Sequence, residues 1–364
     1  MIVLILGSSG FIGQNLRFRL SENGHQVLTH KHDELIDHLA TCIQQCDIVV
    51  DAAGVSRTVN ENEVSLTEGN VVYTKTLLSL IGDKPLIYIS TLKTNEQSPY
   101  GKTKLEAERL VLQHLETCHK TRIIRLGNVF GKWAKPNHNS VIATFCHAIN
   151  RDLAINVNEN SGPISFIYID EVLDVIFDLI EGRCEANIIA LPGAFVATVP
   201  QLARIIRQFH DHDFRFDSAI DPLFLKYLYA TYVSYMDPTR LLVACVEHRD
   251  ARGSFTELFH DFGPGQTALN IAKPGIVKGG HYHHTKHEKY LVVSGKAIVR
   301  LRSILDDKVF TYELSPKPIR YIHIPPGYTH EIVAQGKTNS KTLMWSNELY
   351  DETKPDTHVM KVNL

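Results

Sequence analysis

The sequence predicts an α/β chain in which a doubly wound parallel sheet domain is followed by an all-β domain. Three observations carry this. An apolar run, Met1 to Leu6, leads directly into Gly7-Ser-Ser-Gly10-Phe-Ile-Gly13 and then into residues with helical spacing. Short apolar runs then alternate with helical stretches as far as about residue 240, which is the pattern of βαβ units. After about Ala244 that spacing gives way to short strands between Gly, Pro and Asp turns, among them Gly263-Pro-Gly265, Lys273-Pro-Gly275, Ser294-Gly295, Asp306-Asp307 and Pro325-Pro-Gly327. The expected domains are 1–244 and 245–364, since 364 residues is long for one core.

Composition excludes several classes. The chain is 44% hydrophobic and 21% charged, with 38 Lys plus Arg against 40 Asp plus Glu. That balance gives no footprint for nucleic acid or anionic lipid. No apolar run is long enough to span a bilayer, and the first one lacks the basic flank of a signal peptide. The six cysteines are scattered and read as reduced thiols of a cytoplasmic protein. Histidine is the unusual count at 19, and His281, His283, His284 and His287 crowd together.

Taken in order, the first apolar run is a strand, the glycine turn follows, and the helix begins near Phe11. Strand, glycine turn and helix in this order form a dinucleotide fingerprint. Gly7 allows the tight turn, Gly10 the approach of a pyrophosphate, and Gly13 the packing of helix on strand. The helix N-terminus then faces the phosphates. Residues 25–30 form the second strand, and the residues after it face the adenosine ribose. Thr29, His30, Lys31 and His32 stand there, with the first acid at Asp33. Basic residues suit a 2′-phosphate, which favours NADP over NAD. The candidate cofactor set is Gly7, Ser9, Gly10, Phe11, Ile12, Gly13, Lys31 and Ala53, with Tyr100 and Lys104.

Residues 34–46 read as a second helix, and Asp47 to Asp51 as a buried strand followed by Ala52-Ala53-Gly54. Residues 68–80 read as a helix. Pro85 to Ser90 is the next strand, placing Ser90 and Thr91 at its carboxyl end, where open parallel sheets bind ligands. Ser98-Pro99 opens a long helix with Ser98 as its cap. Tyr100 and Lys104 lie four apart on one face of it. An ammonium beside a phenol favours the phenolate, so Tyr100 is a proton donor to an alkoxide forming beside a nicotinamide, with Thr91 or Ser90 orienting the carbonyl. Residues 122–126 form a strand, Gly127 to Gly131 a loop, and Lys132 to Ser140 a wall or lid. Residues 140–149 form a helix, 166–170 a strand, and Asp170 caps the helix after it. A short strand at 188–191 and helices at 199–209 and 221–235 complete this half.

Gly7-x-x-Gly10-x-x-Gly13, Asp51-Ala-Ala-Gly, Ser90-Thr91, Tyr100-x-x-x-Lys104 and Tyr168-Ile-Asp-Glu171 together resemble the extended short-chain dehydrogenase/reductase family over roughly residues 1–240. The resemblance implies a Rossmann-type sheet, Tyr100 as acid/base, Thr91 as the triad hydroxyl, and Lys104 on the nicotinamide ribose.

In the last third, His281 and His283 alternate along a strand, Glu288 follows, and His330 comes from a later turn. Two histidines, a glutamate and a third histidine make a nitrogen/oxygen site for zinc or another divalent ion, and equally a site for metal-free acid/base chemistry. Gly275-x5-His281-x-His283-x4-Glu288-x6-Gly295 and Pro325-x-Gly327-x-x-His330 resemble the two motifs of cupins, with Ala334 standing where an Asn is usual. That resemblance implies a jelly-roll barrel and the metal ligands His281, His283, Glu288 and His330. His284, beside them, points to the other strand face.

The fusion, and the stretches Gly127–Cys146, Gly280–Tyr290 and Ile324–His330, resemble the bifunctional capsular-polysaccharide enzymes acting on UDP-2-acetamido-2,6-dideoxy-hexos-4-ulose. In that family the cupin domain epimerises C3 of the 4-keto sugar and the first domain reduces C4 with NADPH. The product is UDP-N-acetyl-6-deoxy-L-talosamine, on the route to UDP-N-acetyl-L-fucosamine. The implied partners are a UDP-linked 4-keto-6-deoxy amino sugar and a second copy in a homodimer. The alternative is a 4-keto sugar-nucleotide reductase whose cupin domain is purely structural.

Overall fold

The computed structural model describes residues 1–31, 34–56, 63–250, 253–256, 258 and 265–363. His32, Asp33, Gly263 and Pro264, which the sequence reading uses, lie outside the described residues. The chain divides into two compact units. One comprises 1–144 and 160–199, the other 145–159 and 200–364.

The first unit opens with β1 (Ile2–Leu6), α1 (Phe11–Glu22), β2 (Gln26–His30), α2 (Ile36–Gln45) and β3 (Ile48–Asp51). Val3 to Leu6 and Val49 to Val50 are fully buried, as strands covered on both faces must be. The expected helix over 68–80 begins earlier, as α3 (Glu63–Thr67), passes through one π turn over 68–72, and continues as α4 (Tyr73–Ile81). Then come β4 (Leu86–Thr91), a 3₁₀ turn at 92–95, α5 (Pro99–Thr117) and β5 (Thr121–Leu126). Ser98 caps α5 as expected, its Oγ accepting the Gly101 N–H at 3.1 Å, with Pro99 in the first turn.

Two local expectations need correction. The Gly127–Gly131 loop contains a short strand, β6 (Asn128–Phe130), because its backbone finds a parallel partner in β7 (Ile164–Tyr168). Asp170 does not cap the following helix. That helix, α7 (Ile169–Ile180), starts two residues sooner with Tyr168 at the cap position, and Glu171 Oε2 reaches back to the Tyr168 N–H at 3.3 Å. Asp170 instead lies 3.7 Å from the buried Lys132 Nζ. Between α5 and α7 in sequence lies α6 (Val141–Ile149), and β8 (Ile188–Leu191) and β9 (Phe195–Ala197) follow α7.

The main sheet is parallel throughout, in the order β2-β1-β3-β4-β5-β8. The strand order reverses at β1, so a switch point lies between β1 and β3 at their carboxyl ends. A small sheet, β6-β7-β9, stands apart from it. The core is Leu4, Leu6, Leu39, Ile43, Val49, Leu77, Leu86, Tyr88, Val111 and Ile123.

The second unit takes most of α6 together with α8 (Val199–His210, less its first residue) and α9 (Pro222–Ser234). Asp221 Oδ1 caps α9 by accepting the Leu223 N–H at 2.8 Å. The rest is β: β10 (Leu242–Ala244), β11 (Glu247–Asp250), β12 (Gly253–Thr256), β13 (Gln266–Ala272), β14 (Val277–Tyr282), β15 (Glu288–Ser294), β16 (Lys296–Ser303), β17 (Val309–Leu314), β18 (Arg320–Ile324), β19 (Tyr328–Gln335), β20 (Ser340–Ser346) and β21 (His358–Val359). β11 and β12 pair as a hairpin. Two antiparallel five-stranded sheets, β10-β18-β15-β20-β13 and β17-β16-β19-β14-β21, supply a core of Tyr290, Val292, Val299, Leu301, Ile322, Ile324 and Ile332. No described helix is long and apolar enough to cross a membrane, and all six cysteines are free.

Candidate active sites

In the first unit the glycine turn joins β1 to α1. Gly7 sits at φ 76°, and a Cβ there would lie 2.8 Å from Ala52 and Ala53. A Cβ on Gly13 would lie 2.2 Å from the Gly7 carbonyl. Both positions therefore exclude any larger residue. Gly10 takes the cap position of α1 with no side-chain bond, leaving the first-turn N–H groups to a ligand. Ser9 and Gly10 are exposed, Phe11, Ile12 and Ala53 half-buried, and Lys31 exposed just past β2. The cradle suits a dinucleotide pyrophosphate.

Across the switch point, Asp51 ends β3 and accepts the Ala53 N–H at 3.0 Å. Asn70, on the π turn, clamps the small-residue loop. Its Oδ1 accepts the Val55 N–H at 3.0 Å, and its Nδ2 donates to the Val55 carbonyl at 2.9 Å and to Thr103 Oγ1 at 3.2 Å.

Thr91, Tyr100 and Lys104 come together at the end of β4. Lys104 is buried, and its Nζ donates to Tyr88 Oη at 2.8 Å and to the Ile89 carbonyl at 3.0 Å. Burial lowers the Lys104 ammonium, against the opposing charges of Tyr100 and Asp51. The expected lowering of Tyr100 does not emerge as the net effect. Burial raises the phenol, and Lys104 and the Thr91 hydroxyl only pull it part of the way back. Tyr100 is thus held protonated, the form a proton donor needs. Burial also pushes Asp51 up to about 6, Lys104 and the Ala53 N–H opposing it.

Ser90 is engaged elsewhere. Its Oγ donates to Glu108 Oε2 at 2.5 Å, and Arg125 grips the other oxygen of that carboxylate from Nε at 3.0 Å and Nη2 at 2.6 Å. Glu108, Asn70 and Tyr88 escaped the sequence reading. No motif or spacing in the sequence marks any of them.

In the second unit, His281 is the last residue but one of β14 and pairs in register with His330 on β19. β14 ends at Tyr282, so His283 stands just beyond the strand rather than on it. Glu288 opens β15, in the other sheet. All four side chains still converge. Ligand nitrogens of His281, His283 and His330 lie within 4.8 Å of one another. Glu288 Oε2 is 3.4 Å from His283 Nε2 and 3.3 Å from His330 Nε2, and it accepts the Tyr290 hydroxyl at 2.7 Å.

Burial, with the neighbouring His330 and His283, lowers His281 to about 3, so its imidazole is neutral. Burial pushes the Glu288 carboxyl up, but the adjoining His283 and His330 imidazoles overcome this and hold it well down. The His283 tautomer is fixed from outside. Its Nδ1–H donates to the Asp356 carbonyl at 2.5 Å, which leaves Nε2 as the nitrogen that faces Glu288.

Asp356 is the residue that sequence reasoning missed here. It comes from a segment about seventy positions downstream and takes φ 38°. Its carboxylate accepts the N–H groups of His284 at 2.8 Å and of Thr285 and Lys286 at 2.9 Å. Three imidazoles and a carboxylate, with one tautomer fixed by an outer acceptor, are a donor set suited to a divalent metal.

Comparison with known proteins agrees with both halves. Residues 3–187 match the NAD dependent epimerase/dehydratase family, and residues 248–358 match the polysaccharide biosynthesis C-terminal domain. The chain is 32% identical to the UDP-2-acetamido-2,6-beta-L-arabino-hexul-4-ose reductase of Pseudomonas aeruginosa, covering 100% of this chain and 99% of that protein. It is similar to the crystal structure of the capsular polysaccharide assembling protein CapF from Staphylococcus aureus, with a TM-score of 0.64 and 36% identity over 99% of this chain and 100% of that one. The UDP-glucuronic acid 4-epimerase of Bacillus cereus, at 20% identity and a TM-score of 0.52 over 58% of this chain and 83% of that one, shares the fold.

Proposed function

The chain belongs to the NAD dependent epimerase/dehydratase family and, over its full length, to the capsular-polysaccharide branch that carries the second domain, and from that premise we propose that it is a bifunctional UDP-sugar 3-epimerase/4-reductase. Its substrate is a UDP-2-acetamido-2,6-dideoxy-hexos-4-ulose. It inverts C3 and reduces C4, giving UDP-N-acetyl-6-deoxy-L-talosamine toward UDP-N-acetyl-L-fucosamine. One observation carries this reading: a Thr-Tyr-Lys site and a three-histidine pocket occur in one chain that matches a UDP-sugar 4-keto reductase from end to end.

The first unit uses a nicotinamide dinucleotide, which supplies the hydride that reduces C4. Gly7, Ser9, Gly10, Phe11, Ile12, Gly13 and Ala53 would hold it, and the exposed Lys31 past β2 supports the 2′-phosphate of NADPH. Tyr100 donates its phenolic proton to O4 as the ketone becomes an alcohol. Lys104 stabilises the phenolate left behind, and Thr91 orients the carbonyl. Lys104 is steadied for this by Tyr88 and the Ile89 carbonyl.

In the second unit a 4-ketone acidifies the C3 hydrogen, so a base can remove it and the proton can return to the other face. His281, His283, Glu288 and His330 would hold a divalent metal, zinc or another, which would supply charge stabilisation near O4. The two five-stranded sheets support a cupin jelly-roll; the change of sequence pattern sets the domains at 1–244 and 245–364, and the cupin resemblance implies a homodimer.

The test is proton NMR of the 4-keto sugar nucleotide in heavy water, before and after NADPH. Deuterium entering C3 without cofactor, and reduction once NADPH is added, is the expected result. Reduction without C3 exchange would make the second domain a scaffold, and the chain a simple reductase.

A further inference from the structure

We propose a second divalent-cation site, of the zinc class, formed by His30, Glu34 and His38 in the first unit, sharing no residue with the His281, His283, Glu288 and His330 cluster. His30 ends β2 and is almost fully buried, Glu34 lies between β2 and α2, and His38 is in the first turn of α2. Three lone-pair atoms from these residues converge on one point. His30 Nδ1 and His38 Nδ1 are 3.1 Å apart, and Glu34 Oε2 is 3.4 Å from the first and 3.1 Å from the second. Zinc bonds to nitrogen and carboxylate oxygen of about 2.0–2.1 Å, in a tetrahedron, place neighbouring ligand atoms about 3.3 Å apart. The triangle therefore already has the edges of one tetrahedral face.

The ligand orientations are supported from outside. His38 Nε2 lies 3.6 Å from the Cys42 sulfur one helical turn on, which leaves Nδ1 for the cation. The Glu34 oxygen is fixed by the Lys31 N–H at 2.8 Å. Two imidazoles and one carboxylate leave a fourth position for water, as three-ligand zinc sites do. A cation here would tie the end of β2 to the start of α2, on the carboxyl edge of the sheet. The competing arrangement is a proton shared among the same three atoms.

The test uses the full chain, stripped with a chelator and equilibrated with buffered zinc alone in the micromolar range, followed by elemental analysis. His38→Ala should bind one zinc fewer per chain than the parent, and Glu34→Gln should do the same. The loss should add to whatever loss His283→Ala causes, since the two clusters share no residue. His38 is half-exposed, so the alanine variant leaves the core intact. Cobalt in place of zinc should give a visible tetrahedral absorption band that weakens in His38→Ala. Unchanged zinc stoichiometry in either His38→Ala or Glu34→Gln overturns the site and leaves the shared proton as the explanation.

Discussion

At the residue scale, the chemistry proposed for the first unit rests on Tyr100, a phenol that burial holds above its ordinary value. Tyr100→Phe should lower NADPH oxidation at least ~100-fold, the usual worth of a positioned proton donor, while a fluorescence titration still shows NADPH bound. Near-normal oxidation by that variant would remove Tyr100 from the role. Asp51 offers a pH test. Its carboxyl titrates at about 6 in the folded chain against an ordinary 3.8, because burial outweighs the pull of Lys104. A raised carboxyl binds its proton more tightly folded than unfolded, so its contribution to stability is greatest below pH 3.8 and is lost as pH rises to about 6. The two-unit difference corresponds to about 3 kcal/mol. Asp51→Asn cannot ionise, so relative to the parent it should gain about that much stability between pH 4 and pH 7 in urea denaturation. An unchanged gap between the two proteins would mean that Asp51 titrates near its ordinary value.

At the scale of elements, β4 separates its two adjacent hydroxyls by strand alternation. Thr91 serves the Tyr100 side, while Ser90 turns into the packing between α5 and β5, where Glu108 and Arg125 meet it. The two should therefore part on mutation. Ser90→Ala should cost about 1.5–3 kcal/mol of stability for a lost bond to a charged group and leave turnover largely intact, whereas Thr91→Ala should impair turnover. Glu108→Ala, which strands Arg125 and Ser90 together, should cost about 3 kcal/mol or more. Thermal melts and NADPH oxidation on the same preparations give both readouts. A Ser90→Ala variant as inactive as Tyr100→Phe would place Ser90 in the reaction after all.

At the scale of the whole molecule, two sites that share no residue predict separable activities. With the ligand set proposed above, His283→Ala should bind less divalent metal in the second unit and lose deuterium exchange at C3. Reduction of a substrate already inverted at C3 should survive. If that variant keeps both its metal content and its exchange rate, His283 is neither a ligand nor needed for epimerisation. Asp356→Ala should act in the same direction, because it releases the three backbone N–H groups that shape the His283 loop.

What the sequence determined by itself is whatever short-range chemistry dictates. A strand, a glycine turn and a helix are fixed by steric limits on neighbouring residues, and Tyr100 meets Lys104 because four positions make one helical turn. The change from helical to strand spacing near Ala244 announced a second kind of domain, and His281, His283, Glu288 and His330, singled out by spacing, lie beside one another although His283 stands past its strand. Tertiary structure alone decided the rest. Asp356 reaches back across some seventy residues to fix the His283 tautomer, Glu108 takes Ser90 out of the site, and Asn70 clamps the loop after β3. Nor does spacing alone bring His30 and His38 together, since one ends a strand and the other begins a helix. These pairings follow from packing. A buried polar group must find a partner, and which partner it finds depends on what the folded core places beside it.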